Sequence, residues 1–276
     1  MTLKNTPIIT LFLGMFLISP AKALILEDLI SEGILEETLS HKKVAFYQGS
    51  FDPLHLGHED VATLPIEKGL CDYVLIYPAW GGDDQYKNRT DIKIRQGMIF
   101  TAFAHHPKVI VTRLSPQDLQ QHLTTPLDGL STEDMPLDPI TPGMEGKPLV
   151  KIALPGLKFI GVIGSDTALS FHNNPKADRV LLTGIQIPEI FYNHSVGGLM
   201  ALPGESFIVA IRKDDNISHL ENKINNRPII EFIKSEKSEG LSSTGVKKAL
   251  HEGKSIDSMV SNGVAKIIKE KGLYKG

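Results

Sequence analysis

The chain has 276 residues, of which 41% are hydrophobic and 22% are charged, so it is long enough for one large core or two small ones. This composition excludes disorder for most of the chain. A total of 29 Lys and Arg against 32 Asp and Glu gives a net charge of −3, which argues against a protein that binds nucleic acid by neutralising many phosphates. Any anion site must therefore be local. The single cysteine, Cys71, excludes an intramolecular disulfide, a Cys-based zinc site and a CxxC redox pair.

Residues 1–23 have the layout of a secretory signal peptide. Lys4 and the α-amino group give a basic start, residues 7–19 form an uncharged apolar run of 13 residues, and the sequence AKA at 21–23 matches a small-residue cleavage site. This run is shorter than the ~20 residues that cross a bilayer, so an uncleaved anchor is the weaker interpretation, and a buried core helix is the structural alternative. The pattern predicts cleavage after residue 23, which would give a secreted or periplasmic protein without a stable membrane span. If the signal is not used, the protein is expected in the cytoplasm.

Further along the chain, short apolar runs rich in β-branched and aromatic residues alternate with segments of helical periodicity. The predicted strands are residues 43–48, 73–77, 109–112, 158–163 and 206–211, and the predicted helices among them are residues 57–68 and 91–105. This alternation favours an α/β protein with a Rossmann-like, doubly wound, mostly parallel sheet and helices on both faces. Ligands should then bind at the carboxyl ends of the strands.

After the signal, the chain is predicted to have two parts, the second of which contains an insertion. Residues 24–42 are predicted to be a leader helix or linker, and residues 43–276 a single domain. Prolines are frequent and periodic apolar positions few between residues 115 and 156, which predicts an inserted surface loop in that domain.

The run GSFDPLHLGH, residues 49–58, begins where the first strand should end and the first helix should start. Its opening glycine allows the backbone to approach a ligand, and its Asp-Pro step favours a turn. His55 and His58 are three positions apart, so both can face one pocket from a single helical turn. The pattern favours a functional anion site over two structural histidines. A metal site is the competing functional interpretation, with Glu59 or Asp60 as the nearest further ligands.

A second polar segment precedes a helix near the end of the chain. The hydroxyl residues 242–244 stand directly before an amphipathic pattern formed by Val246, Ala249 and Leu250. They are natural N-caps, and the amides and positive dipole end of such a helix favour a phosphate. Capping alone would also explain them.

Together the two segments resemble the signatures of the nucleotidyltransferase superfamily that shares the HxGH motif. The stretch LSSTGVK at 241–247 is similar to the ISSTxxR segment of that superfamily, and the tail after it looks like the end of nicotinate or nicotinamide mononucleotide adenylyltransferases. The resemblance extends from about residue 43 to the C-terminus. It implies an enzyme that transfers an adenylyl group from ATP to a pyridine mononucleotide and releases pyrophosphate, with Mg²⁺ accompanying the ATP.

The same resemblance assigns roles to individual residues. His55, His58 and Lys247 are expected to act in catalysis, although Lys247 stands where the family has an arginine and can offer a point charge but no bidentate fork. The expected nucleotide-binding residues are Gly49, Ser50, Phe51, His55, His58, Asp166, Arg212, Ser242, Ser243, Thr244 and Lys247. The expected residues for the second substrate are Trp80, Asp84, Lys87 and Arg95. No protein residue is expected to hold a metal.

Two alternatives remain open because a substrate motif of the family, S-Y-T-x-x-T-L, is absent from the sequence. The protein could transfer a nucleotide to another phosphorylated acceptor such as phosphopantetheine, or it could be a catalytically silent relative that binds nucleotide. The resemblance implies ATP and a mononucleotide as partners. The net charge argues against nucleic acid, and a homo-oligomer is compatible with the sequence.

Overall fold

A computed structural model describes residues 22–79, 89–126, 150–173, 204–211, 217–218, 220, 222–224, 227–237 and 239–275. The strands, in chain order, are β1 (Leu24–Ile25), β2 (Lys43–Gly49), β3 (Tyr73–Pro78), β4 (Val109–Val111), β5 (Thr124–Pro126), β6 (Val150–Ile152), β7 (Lys158–Gly164), β8 (Gly204–Ile211), β9 (Lys223–Ile224) and β10 (Arg227–Lys234). The helices are α1 (Leu26–Ser31), α2 (Leu35–Leu39), α3 (Leu56–Glu67), α4 (Ile92–Ala102), α5 (Pro116–Leu123), α6 (Ser165–Asn173), α7 (Ser243–His251) and α8 (Asn262–Glu270).

Within these ranges, eight strands form one sheet in the order β1-β4-β3-β2-β7-β8-β10-β9. The first seven in that order run parallel, and β9 pairs antiparallel with β10 at one edge. Strands β5 and β6 form a separate antiparallel pair. The predicted mostly parallel sheet is therefore confirmed.

Both faces of the sheet are covered, because side chains along each central strand point alternately to one face and then to the other. From β2, Ala45 and Tyr47 enter a core that contains residues of α3, α4, α7 and α8. Val44 and Phe46 point the opposite way, into a second core that contains residues of α1, α2 and α5. The predicted doubly wound arrangement is confirmed.

The segment predicted to be a leader or linker, residues 24–42, is part of this fold. Its strand β1 pairs in parallel with β4, and Leu26, Leu29 and Leu39 are almost fully buried in the second core. Two-residue strands and single-turn helices are too short to show a hydrophobic period. The burial of this segment depends instead on the sheet face that it covers.

The predicted proline-rich insertion is likewise more structured at its ends than expected. Residues 116–123 form α5, whose Leu119 and Leu123 are buried in the second core, and the β5–β6 pair brackets residues 127–149, which lie outside the described ranges. The hydroxyl of Tyr77 donates to the carbonyl of Leu114 over 2.9 Å, which attaches the start of this segment to β3.

The description of the N-terminus begins at Lys22, so most of the predicted signal peptide lies outside it. The amide of Ala23 donates to the carbonyl of Ala104 over 3.2 Å, just before β1. In the part of the chain that is described, no helix combines the length and apolar character that crossing a bilayer requires.

Candidate active site

The topology places one crevice at the carboxyl ends of two central strands. Strand β2 lies between β3 and β7, and the chain proceeds outward from β2 through β3 to β4 and from β7 through β8 to β10. The strand order therefore reverses between β2 and β7, which is the switch point where open α/β sheets bind ligands. The HxGH segment follows β2 directly, and α6 begins directly after β7.

The two histidines of the motif form the first turn of α3 together. His55 is the N-cap: its Nδ1 accepts the amide of His58 over 3.3 Å, while the Nδ1 of His58 accepts the amide of His55 over 3.4 Å. The two rings stack with centroids 3.6 Å apart. Because both Nδ1 atoms accept backbone protons, each neutral ring carries its own proton on Nε2. The local fold thus fixes which ring atom of each histidine can donate.

Phe51 packs against the histidine pair through its contact with the ring of His58. It is fully buried, its φ is +46°, and its ring meets the ring of His58 edge to face at 5.1 Å and that of Tyr47 at 5.2 Å. A Cβ on Gly49 would lie 2.9 Å from a ring carbon of Phe51. Gly49 is therefore needed first to admit Phe51, whereas the sequence predicted that it admits a ligand.

Asp52 is the centre of a buried polar network. Its Oδ2 accepts from Lys247 Nζ at 2.7 Å and from the amide of Thr90 at 3.2 Å, and its Oδ1 accepts from the hydroxyl of Tyr274 at 2.5 Å. Burial alone would raise the pKa of Asp52, but the donors from Lys247, Thr90 and Tyr274 outweigh it and hold that pKa below its ordinary value. Asp52 is therefore ionised at neutral pH. The sequence assigned it only to a turn and missed Thr90 and Tyr274.

The second motif lies against the first. Ser242 is the N-cap of α7 and accepts the amide of Gly245 over 3.0 Å, while Ser243 donates to the carbonyl of Pro53 over 3.0 Å. Thr244, in the first turn of α7, is exposed. The helix start that was predicted to hold phosphate therefore borders the HxGH loop, although the two segments are far apart in the sequence.

Lys247 projects from the first turn of α7 toward the loop. Besides its ion pair with Asp52, its Nζ lies 4.9 Å from the centroid of the Tyr274 ring. Its side chain is 35% exposed, so its charge is accessible to a ligand in the crevice while Asp52 keeps it in place.

Arg95, predicted to bind the second substrate, supports the loop instead. It is 1% exposed, and it donates to the carbonyl of Ser50 over 2.9 Å and to that of Thr90 over 2.8 Å. Burial first, and the nearby Arg89 guanidinium second, lower its pKa. Arg89, which the sequence did not single out, donates to the hydroxyl of Ser50 over 3.2 Å and brings a further positive charge to the crevice.

The remaining predicted residues are less defined. Asp166 is exposed in the first turn of α6, which follows β7, the strand beside β2, and its Oδ1 accepts the amide of Thr167 over 2.9 Å. A Cβ on Gly164 would lie 2.5 Å from the same oxygen. The predicted Trp80, Asp84, Lys87 and Arg212 lie outside the described residues. Among the residues that are described, no three His, Cys, Asp or Glu side chains come together as a metal site.

Several known proteins are similar to this chain. No family model matches it. A curated protein of Rubrobacter xylanophilus, described as "Probable nicotinate-nucleotide adenylyltransferase", is 23% identical over 237 residues, or 84% of this chain and 92% of that protein. The solved structure of Plasmodium falciparum nicotinic acid mononucleotide adenylyltransferase complexed with NaAD has a TM-score of 0.50 at 17% identity and covers 85% of this chain and 98% of its own. The structure of the same enzyme complexed with APC gives a TM-score of 0.49, also at 17% identity, with the same coverage of both chains.

The similarity to the Plasmodium structure establishes the fold, and the curated relative spans nearly the same length of chain as the predicted resemblance. In this chain the HxGH run at residues 49–58 and the SST segment at residues 242–244 meet at the switch point of the sheet. The chain therefore has the fold of the Plasmodium enzyme and is similar over most of its length to a curated protein described as a probable nicotinate-nucleotide adenylyltransferase.

Proposed function

We propose that the protein transfers the adenylyl group of ATP to a pyridine mononucleotide, forming a dinucleotide and pyrophosphate. The observation that carries this proposal is the 3.0 Å contact from Ser243 to Pro53, which joins the start of α7 to the HxGH loop at the crevice. The curated relative described as a nicotinate-nucleotide adenylyltransferase supports the choice of acceptor.

The reaction requires positioning and charge stabilisation more than covalent help. An oxygen of the mononucleotide phosphate attacks the α-phosphorus of ATP, and a new P–O bond forms as the bond to the bridging β-phosphate oxygen breaks. Pyrophosphate leaves with that electron pair. We assign the Nε2–H groups of His55 and His58 to the oxygens of the transferring phosphoryl group, where charge develops. The amides of Ser50 and Phe51 would assist them.

The departing β- and γ-phosphates are assigned to the start of α7. The helix N-terminus carries a positive partial charge, and Lys247 adds a full one beside it. The approach of two positive guanidinium groups, Arg89 and Arg95, to the Ser50 loop strengthens the local potential for anions. This local charge is compatible with the slightly acidic total of the chain.

Magnesium is proposed to enter with ATP. It keeps several of its waters and is usually bound by phosphates with few protein ligands. Bound there, it would neutralise charge on the phosphates. Asp52 is committed to Lys247, Thr90 and Tyr274.

The pyridine ring is assigned to the segment after β3, which contains Trp80, Asp84 and Lys87. This assignment rests on the family resemblance and on the position of the segment, which joins β3 to the loop at Thr90 and so begins and ends beside the crevice. Trp80 offers a surface on which a pyridine ring can stack.

The decisive experiment incubates the purified chain with ATP, Mg²⁺ and single acceptors, and follows pyrophosphate release and products by chromatography. Nicotinate mononucleotide, nicotinamide mononucleotide and phosphopantetheine form the panel. We expect release and dinucleotide formation with a pyridine mononucleotide. Release with phosphopantetheine alone would reassign the acceptor, and ATP binding without release from any acceptor would indicate a silent relative.

We also propose that residues 1–23 are a cleaved export signal. Among the described residues, full burial of side chains begins at Leu26, so cleavage after Ala23 would keep β1 and would remove the packing of Ala23 and its hydrogen bond to Ala104. N-terminal sequencing of the protein from periplasmic and cytoplasmic fractions tests this. We expect Leu24 as the first residue of the exported form, and an intact Met1 on all soluble protein would contradict the proposal.

A further inference from the structure

The C-terminal tail folds back onto the HxGH loop. After α8 ends at Glu270, Gly272 and Tyr274 both adopt positive φ, 60° and 59°, and the amide of Leu273 donates to the carbonyl of Ile268 over 3.0 Å. Leu273 and Tyr274 then pack against the core that contains residues of α3, α4, α7 and α8. A non-glycine residue in the left-handed region needs such support from its surroundings.

The Tyr274 side chain contacts Asp52, Thr90 and Lys247. Its hydroxyl donates to Oδ1 of Asp52 and accepts from the hydroxyl of Thr90 over 3.0 Å, and its ring lies 4.9 Å from Lys247 Nζ. Burial first, and the bond to Asp52 second, raise the pKa of Tyr274, so the hydroxyl keeps its proton at neutral pH. It is therefore a constant donor to the carboxylate.

We propose that Tyr274 is a positioning residue for ATP, which acts by fixing Asp52 so that Asp52 in turn holds Lys247 at the phosphate site. This inference rests on the proposed function. The two oxygens of Asp52 have different partners. Oδ1 accepts a hydrogen bond from Tyr274, and Oδ2 accepts hydrogen bonds from Lys247 and from the amide of Thr90.

Loss of the hydroxyl frees Oδ1 and lets the carboxylate turn, and Lys247 turns with it. A hydrogen bond to a charged group has a larger effect than a neutral one. We therefore expect Tyr274→Phe to raise the KM for ATP about tenfold, because Lys247 is assigned to the phosphates. The KM for the mononucleotide should stay within about twofold, since Lys247 is assigned to the phosphates of ATP and not to that substrate. A merely structural role would affect both substrates alike.

The test compares Tyr274→Phe with Tyr73→Phe, the same change at the opposite end of β3 from the crevice. Steady-state KM values for both substrates and the Kd of Mg·ATP by calorimetry are measured for each. The Kd separates this inference from the proposed function: weaker ATP binding in Tyr274→Phe alone supports it even if no acceptor is turned over. Equal ATP binding in wild type and Tyr274→Phe, or no ATP binding by the wild type, would overturn it.

Two further variants exclude a folding artefact. Thr90→Val removes the hydroxyl that donates to Tyr274 but keeps the backbone amide, and it should raise the Kd for ATP in the same direction by about threefold. In a Lys247→Ala background, Tyr274→Phe should add less than about twofold, because residues that act through one another are not additive. A full tenfold effect without Lys247 would show that Tyr274 does not act through it.

Discussion

Replacement of His58 by alanine is expected to lower turnover about 100-fold or more, with a smaller effect on the KM for either substrate. The Nε2–H of His58 is assigned to charge that develops on the transferring phosphoryl group, and the loss of one such donor typically costs a factor of 100 to 1,000, roughly, in kcat. Steady-state pyrophosphate release measures it. Near-normal turnover by His58→Ala would remove His58 from the mechanism.

The same substitution also removes a backbone contact, since Nδ1 of His58 accepts the amide of His55. His58→Asn separates the two roles, because its side-chain oxygen can still accept that amide while the Nε2 donor is lost. We expect His58→Asn to remain folded and to be as slow as His58→Ala. His251→Ala, an exposed histidine at the far end of α7, is the matched control and should keep normal turnover.

Replacement of Arg95 by methionine is expected to lower the free energy of unfolding by about 3 kcal/mol and to lower kcat/KM as well. The guanidinium is 1% exposed and donates to the carbonyls of Ser50 and Thr90. Methionine fills similar volume but leaves two partly buried carbonyls without these donors, each at a cost of up to about 1–3 kcal/mol. Urea unfolding followed by circular dichroism measures the stability.

Activity should fall together with stability because Ser50 lies at the start of the HxGH run and the amide of Thr90 donates to Asp52. Arg113→Met is the control: this arginine is exposed, and its guanidinium lies 3.8 Å from the centroid of the Phe100 ring. We expect a loss there of no more than about 1 kcal/mol. A loss below about 1 kcal/mol in Arg95→Met would mean that water or a rearranged loop satisfies the two carbonyls.

The central part of the fold was predictable because its patterns are local. Residues 43–48 and 73–77 are apolar and β-branched, and the structure extends each by one residue, to Gly49 and Pro78. The edges were not predictable. Strand β10 pairs with β8 although its sequence, RPIIEFIK, has a proline at its second position and mixes charges into an apolar run, so its pairing becomes evident only from the neighbouring strand.

The site divides in the same way. The histidine pair and the hydroxyl cap could be recognised because each lies within one short segment with its own chemistry. The Asp52 network joins partners 195 and 222 positions apart, which no local pattern shows. Asp52 before a proline looked like a turn residue, and Arg95 looked like a ligand for substrate because its burial could not be read from its neighbours.

The large sequence separation of the Asp52 contacts affects the order of events during folding. The β2–α3 turn and the first turn of α7 can each form from neighbouring residues, whereas the bonds of Asp52 to Lys247 and Tyr274 close only after distant parts of the chain have met. Contacts of such high sequence separation are slow to form because the entropy of loop closure opposes them. During refolding, secondary structure should therefore return first, and the ability to bind nucleotide should be among the last properties regained.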